Sequence, residues 1–153
     1  MKKALFCVIA VLALGMNLYA QEPTWAIGLG IEWNMNAREK YAGGAVLSFD
    51  YSFEQFFAAG FSITASSNFA GIIVIEPVIM FRLYFLESGY YGFFFQNEMG
   101  VYLVLENGLT PMFDIGIRAG FRLPLGQRFY LEPYGRLGYP FAYGLGVMAG
   151  VRF

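Results

Sequence analysis

The sequence contains no histidine, and its one cysteine, Cys7, lies within the first twenty residues. Histidine is the usual general base at neutral pH and the commonest metal ligand, so its absence removes most acid–base and metal-dependent catalysis. If the first twenty residues are removed, thiol, disulfide and zinc–thiolate chemistry disappear as well. We therefore expect no enzyme, no metal site and no cofactor.

Charged residues are also scarce, at 14% of the chain, whereas 58% of the residues are hydrophobic and the mean hydropathy is +0.50. A typical soluble domain has about 25% charged residues, so this composition favours a membrane protein. The formal net charge is −1 and no basic cluster is present. Nucleic-acid binding, which requires lysine and arginine facing the phosphates, is therefore not expected.

The N-terminus has the order of a secretory signal. Lys2 and Lys3 precede an apolar run from Ala4 to Met16, and a short stretch then ends at Ala20. The run is short for a spanning helix of about 20 residues, so an uncleaved anchor is the less favoured alternative. We predict a signal peptide over residues 1–20 and one domain over 21–153, with eight basic and eleven acidic residues remaining, a net charge of −3.

The remainder alternates with a period of two. Between Phe57 and Ser66, apolar residues at odd positions oppose small or polar residues at even positions, and the same pattern recurs over 113–122 and 143–153. This period is that of a β-strand with two different faces, whereas a helix would mix the two sets.

Turn-prone residues divide the alternation into eight segments of a length that suits transmembrane β-strands. The predicted strands are 24–34, 41–51, 56–66, 71–84, 90–105, 111–123, 129–139 and 141–153. Unpaired strand edges are costly in hydrocarbon, so the strands must close into a barrel. The prediction is an all-β, eight-stranded antiparallel up-and-down transmembrane β-barrel. A soluble barrel is the alternative, but the second face carries too few charges to form a solvated exterior.

The polar face collects most of the charge. It holds six acidic and five basic residues: Glu32, Asp50, Glu76, Arg82, Glu98, Asp114, Arg118, Arg122, Glu132, Arg136 and Arg152. Distance from the turns places four of them near mid-membrane: Glu76, Glu98, Arg118 and Arg136. Buried ionised groups are costly unless they are paired, so we predict that these four form a structural charge network that plugs the lumen. A narrow, charge-lined pore is the alternative.

The alternating segments, and above all the last one from Gly144 to Phe153, resemble the small eight-stranded outer-membrane barrels, which include the transmembrane domain of outer membrane protein A. The resemblance implies a monomer in outer-membrane lipid, with both termini on the periplasmic side. It also implies assembly by the outer-membrane assembly machinery, which would read the strand that ends in Phe153. The enzymes known among such barrels are thought to use a histidine, which this chain lacks.

The resemblance and the interior charges together predict a structural or narrow-pore role. The chain departs from the family in having short predicted loops, which argues against a receptor built on long surface loops. The alternative function is a surface interaction or adhesion protein, in which Arg38, Glu39, Lys40 and the loop around Asn107 would form the contact surface.

Overall fold

The computed structural model describes residues 24–36, 41–54, 56–85, 91–106 and 108–153. The predicted signal at 1–20 lies outside this range. The described chain forms eight strands: β1 (Thr24–Asn36), β2 (Ala42–Glu54), β3 (Phe57–Ser67), β4 (Ile73–Phe85), β5 (Gly92–Leu105), β6 (Leu109–Leu125), β7 (Phe129–Tyr139) and β8 (Phe141–Arg152). The predicted strand ends differ from these by three residues or fewer. This part of the chain contains no helix long and apolar enough to cross a membrane.

The eight strands close into one antiparallel barrel. Each strand pairs with the next along the chain, and β8 returns to pair with β1, for example at Gly28 and Gly150. Beyond this ladder, the Phe153 amide donates a hydrogen bond of 2.9 Å to the Trp25 carbonyl. The barrel therefore has no free sheet edge, and the predicted fold class is confirmed.

Residue parity is the same in all eight strands. Paired positions are both even or both odd, as at Glu98 and Gly116, except for two pairs at strand ends where the register shifts, Asn36 with Phe141 and Glu54 with Phe57. Even-numbered side chains within the strands therefore face the interior, and odd-numbered side chains face outward. In β4 the buried and exposed positions alternate accordingly. The outward face is strongly apolar, with Leu29, Ile31 and Phe81 each more than 60% exposed. A closed barrel with this exterior is suited to lipid, not to water.

Aromatic side chains gather at both ends of the barrel. At one end, which we call the Trp25 rim, the Trp25 and Tyr51 rings lie 4.2 Å apart. At the opposite end, the Phe69 rim, the Trp33 and Tyr41 rings lie 5.9 Å apart. Aromatic rings at both ends of an apolar band are typical of transmembrane barrels, where they lie at the two membrane interfaces.

The turn between β3 and β4 is shaped by short polar side chains. The Asn68 side-chain oxygen accepts hydrogen bonds from the amides of Ala70 and Ile72, at 2.9 and 3.1 Å. Phe69 has a φ of 59° and Gly71 a φ of 106°. The asparagine carbonyl thus takes the place of a backbone acceptor, which stabilises a tight reversal at this rim.

Inside the barrel, two tyrosines of β7 cross over two glycines of β8. A Cβ atom added at Gly146 would collide with the Tyr134 ring, and one added at Gly150 would collide with the Tyr130 ring. Both tyrosines are at most 5% exposed. The glycines therefore provide the space in which the large rings fill the lumen.

Replacing Gly146 by alanine should lower the free energy of unfolding by about 1–3 kcal/mol, because the new methyl group overpacks the Tyr134 ring. The matched control is Gly135→Ala. Its added Cβ would make only ordinary contacts, the nearest being 3.6 Å from a Leu145 methyl group. Urea unfolding in lipid vesicles, followed by tryptophan fluorescence, measures both. Equal effects of the two substitutions would contradict the packing described above.

Candidate functional site: a buried network of ion pairs

The interior charges are almost completely buried. Ten of the predicted lumen residues have relative exposures of 0–4%. They are Glu32, Asp50, Glu76, Arg82, Glu98, Asp114, Arg118, Arg122, Glu132 and Arg136. Arg152 is less enclosed than these ten, because it is the last residue of β8. It is half-buried and lies over the Tyr91 ring at 4.6 Å.

Four of these residues form a compact group nearer the Trp25 rim, which we call the four-residue cluster: Asp50, Arg82, Arg122 and Glu132. Arg82 donates two hydrogen bonds to Glu132, at 2.8 and 2.9 Å. Arg122 donates two to Asp50, at 3.1 and 2.9 Å, and its Nε donates a third to Glu132 at 2.6 Å. Paired contacts of this kind are the strong, directional form of the arginine–carboxylate interaction.

The other six residues form the six-residue cluster, nearer the Phe69 rim: Glu32, Glu76, Glu98, Asp114, Arg118 and Arg136. Arg136 lies at its centre. Its Nη1 is 2.9 Å from Glu32 and 3.1 Å from Glu76, and its Nη2 is 3.6 Å from Glu98 and 4.0 Å from Asp114. One guanidinium group thus faces carboxylates from four different strands.

Glu32 is the second centre of the six-residue cluster. It accepts hydrogen bonds from the Tyr134 hydroxyl at 2.7 Å and from the Asn34 amide at 2.6 Å. Arg118 lies 3.4 Å from Glu32 and 2.9 Å from Glu98. Glu32 therefore binds groups from two other strands, β6 and β7, besides its own neighbour Asn34.

A glutamine joins the two clusters. Gln96 accepts a hydrogen bond from Arg82 Nε at 2.7 Å and donates one to Glu98 at 2.6 Å. Aromatic rings complete the packing, because the Arg82 guanidinium lies 4.1 Å from the Phe94 ring centre and that of Arg118 lies 4.2 Å from the Tyr134 ring centre. The interior is therefore one connected polar network with rings packed against its cations.

The two clusters differ in charge balance. The four-residue cluster has two acids and two bases, whereas the six-residue cluster has four acids and two bases. Several oxygens of the latter meet arginine only as ion-pair contacts of 3.1–4.0 Å without a well-directed hydrogen bond, namely Oε2 of Glu76, Oε2 of Glu98 and Oδ2 of Asp114. Within the described ranges, no group of three or more acidic side chains is placed to hold a metal ion. The arrangement is suited to ion pairing.

The structure brings together the four residues that sequence analysis singled out, since Arg136 contacts Glu76 and Glu98, and Arg118 contacts Glu98. They do not lie at one depth: Glu76 is the fourth residue of β4 and lies toward the Phe69 rim, whereas Arg118 follows Ile117, the central residue of β6. Their common position near mid-membrane stays a prediction. Sequence reasoning also missed the central position of Glu32, because the partners of a lumen residue depend on register across strands that are far apart in sequence.

The unequal charge balance predicts unequal effects of neutralising an acid. Asp50→Asn should lower the free energy of unfolding by about 3 kcal/mol or more, because it leaves Arg122 as an excess charge in a balanced, buried cluster. Asp114→Asn, the matched control, should change it by less than about 1 kcal/mol, because its nearest cation is 4.0 Å away in a cluster with surplus acid. Urea unfolding of both variants checks this, and a larger loss for Asp114→Asn would contradict it.

No protein-family profile matches the chain, and no curated protein matches it in sequence. Solved structures do match. Neisserial surface protein A has 12% sequence identity and a TM-score of 0.64, over 88% of this chain and 97% of that one. The N-terminal barrel domain of Pseudomonas aeruginosa OprF has 12% identity and a TM-score of 0.62, over 88% of this chain and all of that one.

A de novo designed transmembrane β-barrel also matches, with 11% identity and a TM-score of 0.53, over 88% of this chain and 98% of the designed one. Because natural and designed barrels match alike, and all at low identity, the likeness concerns architecture and not activity. The chain has the fold of the small eight-stranded outer-membrane β-barrels.

Proposed function

We propose that this protein is an integral outer-membrane barrel whose interior is closed by the two charge clusters, so that it acts as a structural element of the membrane and not as an open pore. The observation that carries the proposal is the burial of the lumen charges. An aqueous channel would leave these side chains accessible to water, yet none of the ten exceeds 4% exposure.

The energetics of the clusters support a closed interior. Removing an ion from water costs several kcal/mol unless its partners replace the lost hydration. Three of the four cluster arginines, Arg118, Arg122 and Arg136, each contact at least two carboxylates within 4.0 Å. The fourth, Arg82, binds Glu132 through two hydrogen bonds and Gln96 through a third. An eight-stranded barrel has room for little more than its own side chains, so an ion passing through would have to displace these contacts.

The outer-membrane location rests on three features. The N-terminal sequence resembles an export signal, the exterior is an apolar band between two aromatic rims, and the backbone closes without a free edge. Recognition of the strand ending in Phe153 by the assembly machinery stays a prediction. The surface-interaction alternative depends on Arg38, Glu39, Lys40 and Asn107, which lie outside the described residues.

A structural role predicts that the lumen charges hold the barrel together. Arg118→Met should lower the free energy of unfolding by about 3–5 kcal/mol, because it removes the nearest cation from Glu98 and adds to the surplus of acid. Arg152→Met, at the end of β8, is the matched control and should lower the free energy of unfolding by much less, because Arg152 is only half-buried. Urea unfolding and resistance to heating on gels measure both. Unchanged stability of Arg118→Met would argue against the structural role.

Single-channel recording in planar bilayers tests closure directly. The refolded protein, checked by a boiling-dependent gel shift, should show no conductance steps, whereas an open porin added to the same bilayer should show them. Stable steps that change when Arg118 or Glu98 is neutralised would instead identify a narrow pore, and the closed interior would be rejected. The gel shift distinguishes a folded barrel that does not conduct from a protein that failed to fold and insert.

A further inference from the structure

The outward face of the barrel contains one polar residue that the fold does not explain. Among the described side chains at odd positions of the strands, all are apolar, glycine or aromatic except Ser67 and Asn97. Ser67 lies at the end of β3, where its hydroxyl donates a 3.0 Å hydrogen bond to the Ile72 carbonyl in the turn. Asn97 has no such local role.

Asn97 lies far from both rims. Its neighbours across the two ladders are Phe81 in β4 and Ile117 in β6, and Ile117 is the central residue of β6. The Asn97 side chain is exposed on the outer surface. In the described parts of the chain it makes no side-chain hydrogen bond.

An unpaired amide at this depth has few possible partners. The hydrocarbon core is about 30 Å thick, so lipid headgroups and interfacial water are roughly 15 Å away from its middle. A buried amide without a hydrogen bond is unfavourable, and more so in hydrocarbon, where no solvent can replace the partner. A second protein surface at the same depth is therefore the partner that its position favours.

The amide itself indicates which protein that is. A carboxamide contains both donors and an acceptor, so two copies of the same side chain can bond each other reciprocally. Such self-pairing requires a two-fold axis through the contact, which is the symmetry of most homodimers. If that axis is normal to the membrane, both Asn97 side chains lie at the same depth.

The surface around Asn97 is an apolar groove that suits this symmetry. It has a volume of about 710 Å³, and Asn97 lies within it, between Ile79 and Phe81 of β4 and the β6 and β7 wall that includes Ile117 and Leu137. Ile79 and Phe81 are 56% and 61% exposed. A two-fold axis through Asn97 places the exposed β4 side chains of each copy opposite the β6 and β7 wall of the other.

We propose that the outer surface of β4 to β7 around Asn97 is a homodimer interface within the membrane, in which the two Asn97 amides hydrogen-bond to each other. This departs from the monomer that the resemblance to the small outer-membrane barrels implies. The alternating pattern describes how a barrel faces lipid, and Asn97 is the position at which that pattern fails.

Energy transfer between labelled copies tests the interface. Protein carrying Gln127→Cys in the exposed β6–β7 turn has no other cysteine outside the predicted signal. Donor- and acceptor-labelled copies are mixed in phospholipid vesicles over a range of protein-to-lipid ratios, and the dimer dissociation constant is fitted. Asn97→Leu should weaken dimerisation roughly 5- to 30-fold, the range for polar pairs in membranes, whereas Asn97→Gln should largely retain it.

Two controls keep the result interpretable. Leu29→Ala changes another exposed outward position on the opposite wall, in β1, and should leave the dissociation constant unchanged. Asn97→Leu should keep the boiling-dependent gel shift and unfold no more easily than the unmodified protein, because leucine suits lipid better than an amide does. The proposal is overturned if the unmodified protein shows no transfer at any ratio, if Asn97→Leu dimerises equally well, or if Leu29→Ala also abolishes transfer.

Discussion

Every feature of this structure depends on one constraint, namely that a chain in hydrocarbon must satisfy all of its own backbone hydrogen bonds. The pairing of β8 with β1 meets that constraint, because it removes the two edges that an open sheet of these strands would expose. Closure also divides the side chains into two sets with no intermediate environment. The even-numbered set shares one narrow interior, and the odd-numbered set faces lipid.

The interior charges follow from this division. The ten charged residues of the two clusters are buried from solvent, so they are stable there only by pairing with one another. The pairs also connect strands that are not neighbours in the sheet. Arg82 and Glu132 join β4 to β7, and Arg122 and Asp50 join β6 to β2. The network therefore braces the barrel across its lumen, in directions in which backbone hydrogen bonds do not act.

The fold could be predicted closely because the alternation is a local property of each strand. The interior residues could be identified for the same reason, and Arg152 is less buried than the rest because it lies where β8 ends. The contacts could not be predicted, since they depend on register and on the reach of each side chain. Glu32 and Arg136 are distant in sequence, and neutral participants such as Gln96 carry no charge to mark them. The packing of tyrosine rings over glycines did have a signal in the sequence. Tyr130 and Tyr134 are separated by the same number of residues as Gly146 and Gly150.

A fold shared with designed barrels carries little information about activity, so the informative positions are those that folding does not require. Buried ion pairs and aromatic rims are consequences of closing a polar-faced sheet in lipid. Asn97 is different, because an amide at an outward position opposes insertion and contributes nothing to closure. A contact outside the barrel would offset that cost. The same reasoning that explains why every other described outward position of the strands is apolar, small or aromatic therefore makes Asn97 the position at which to look for a partner.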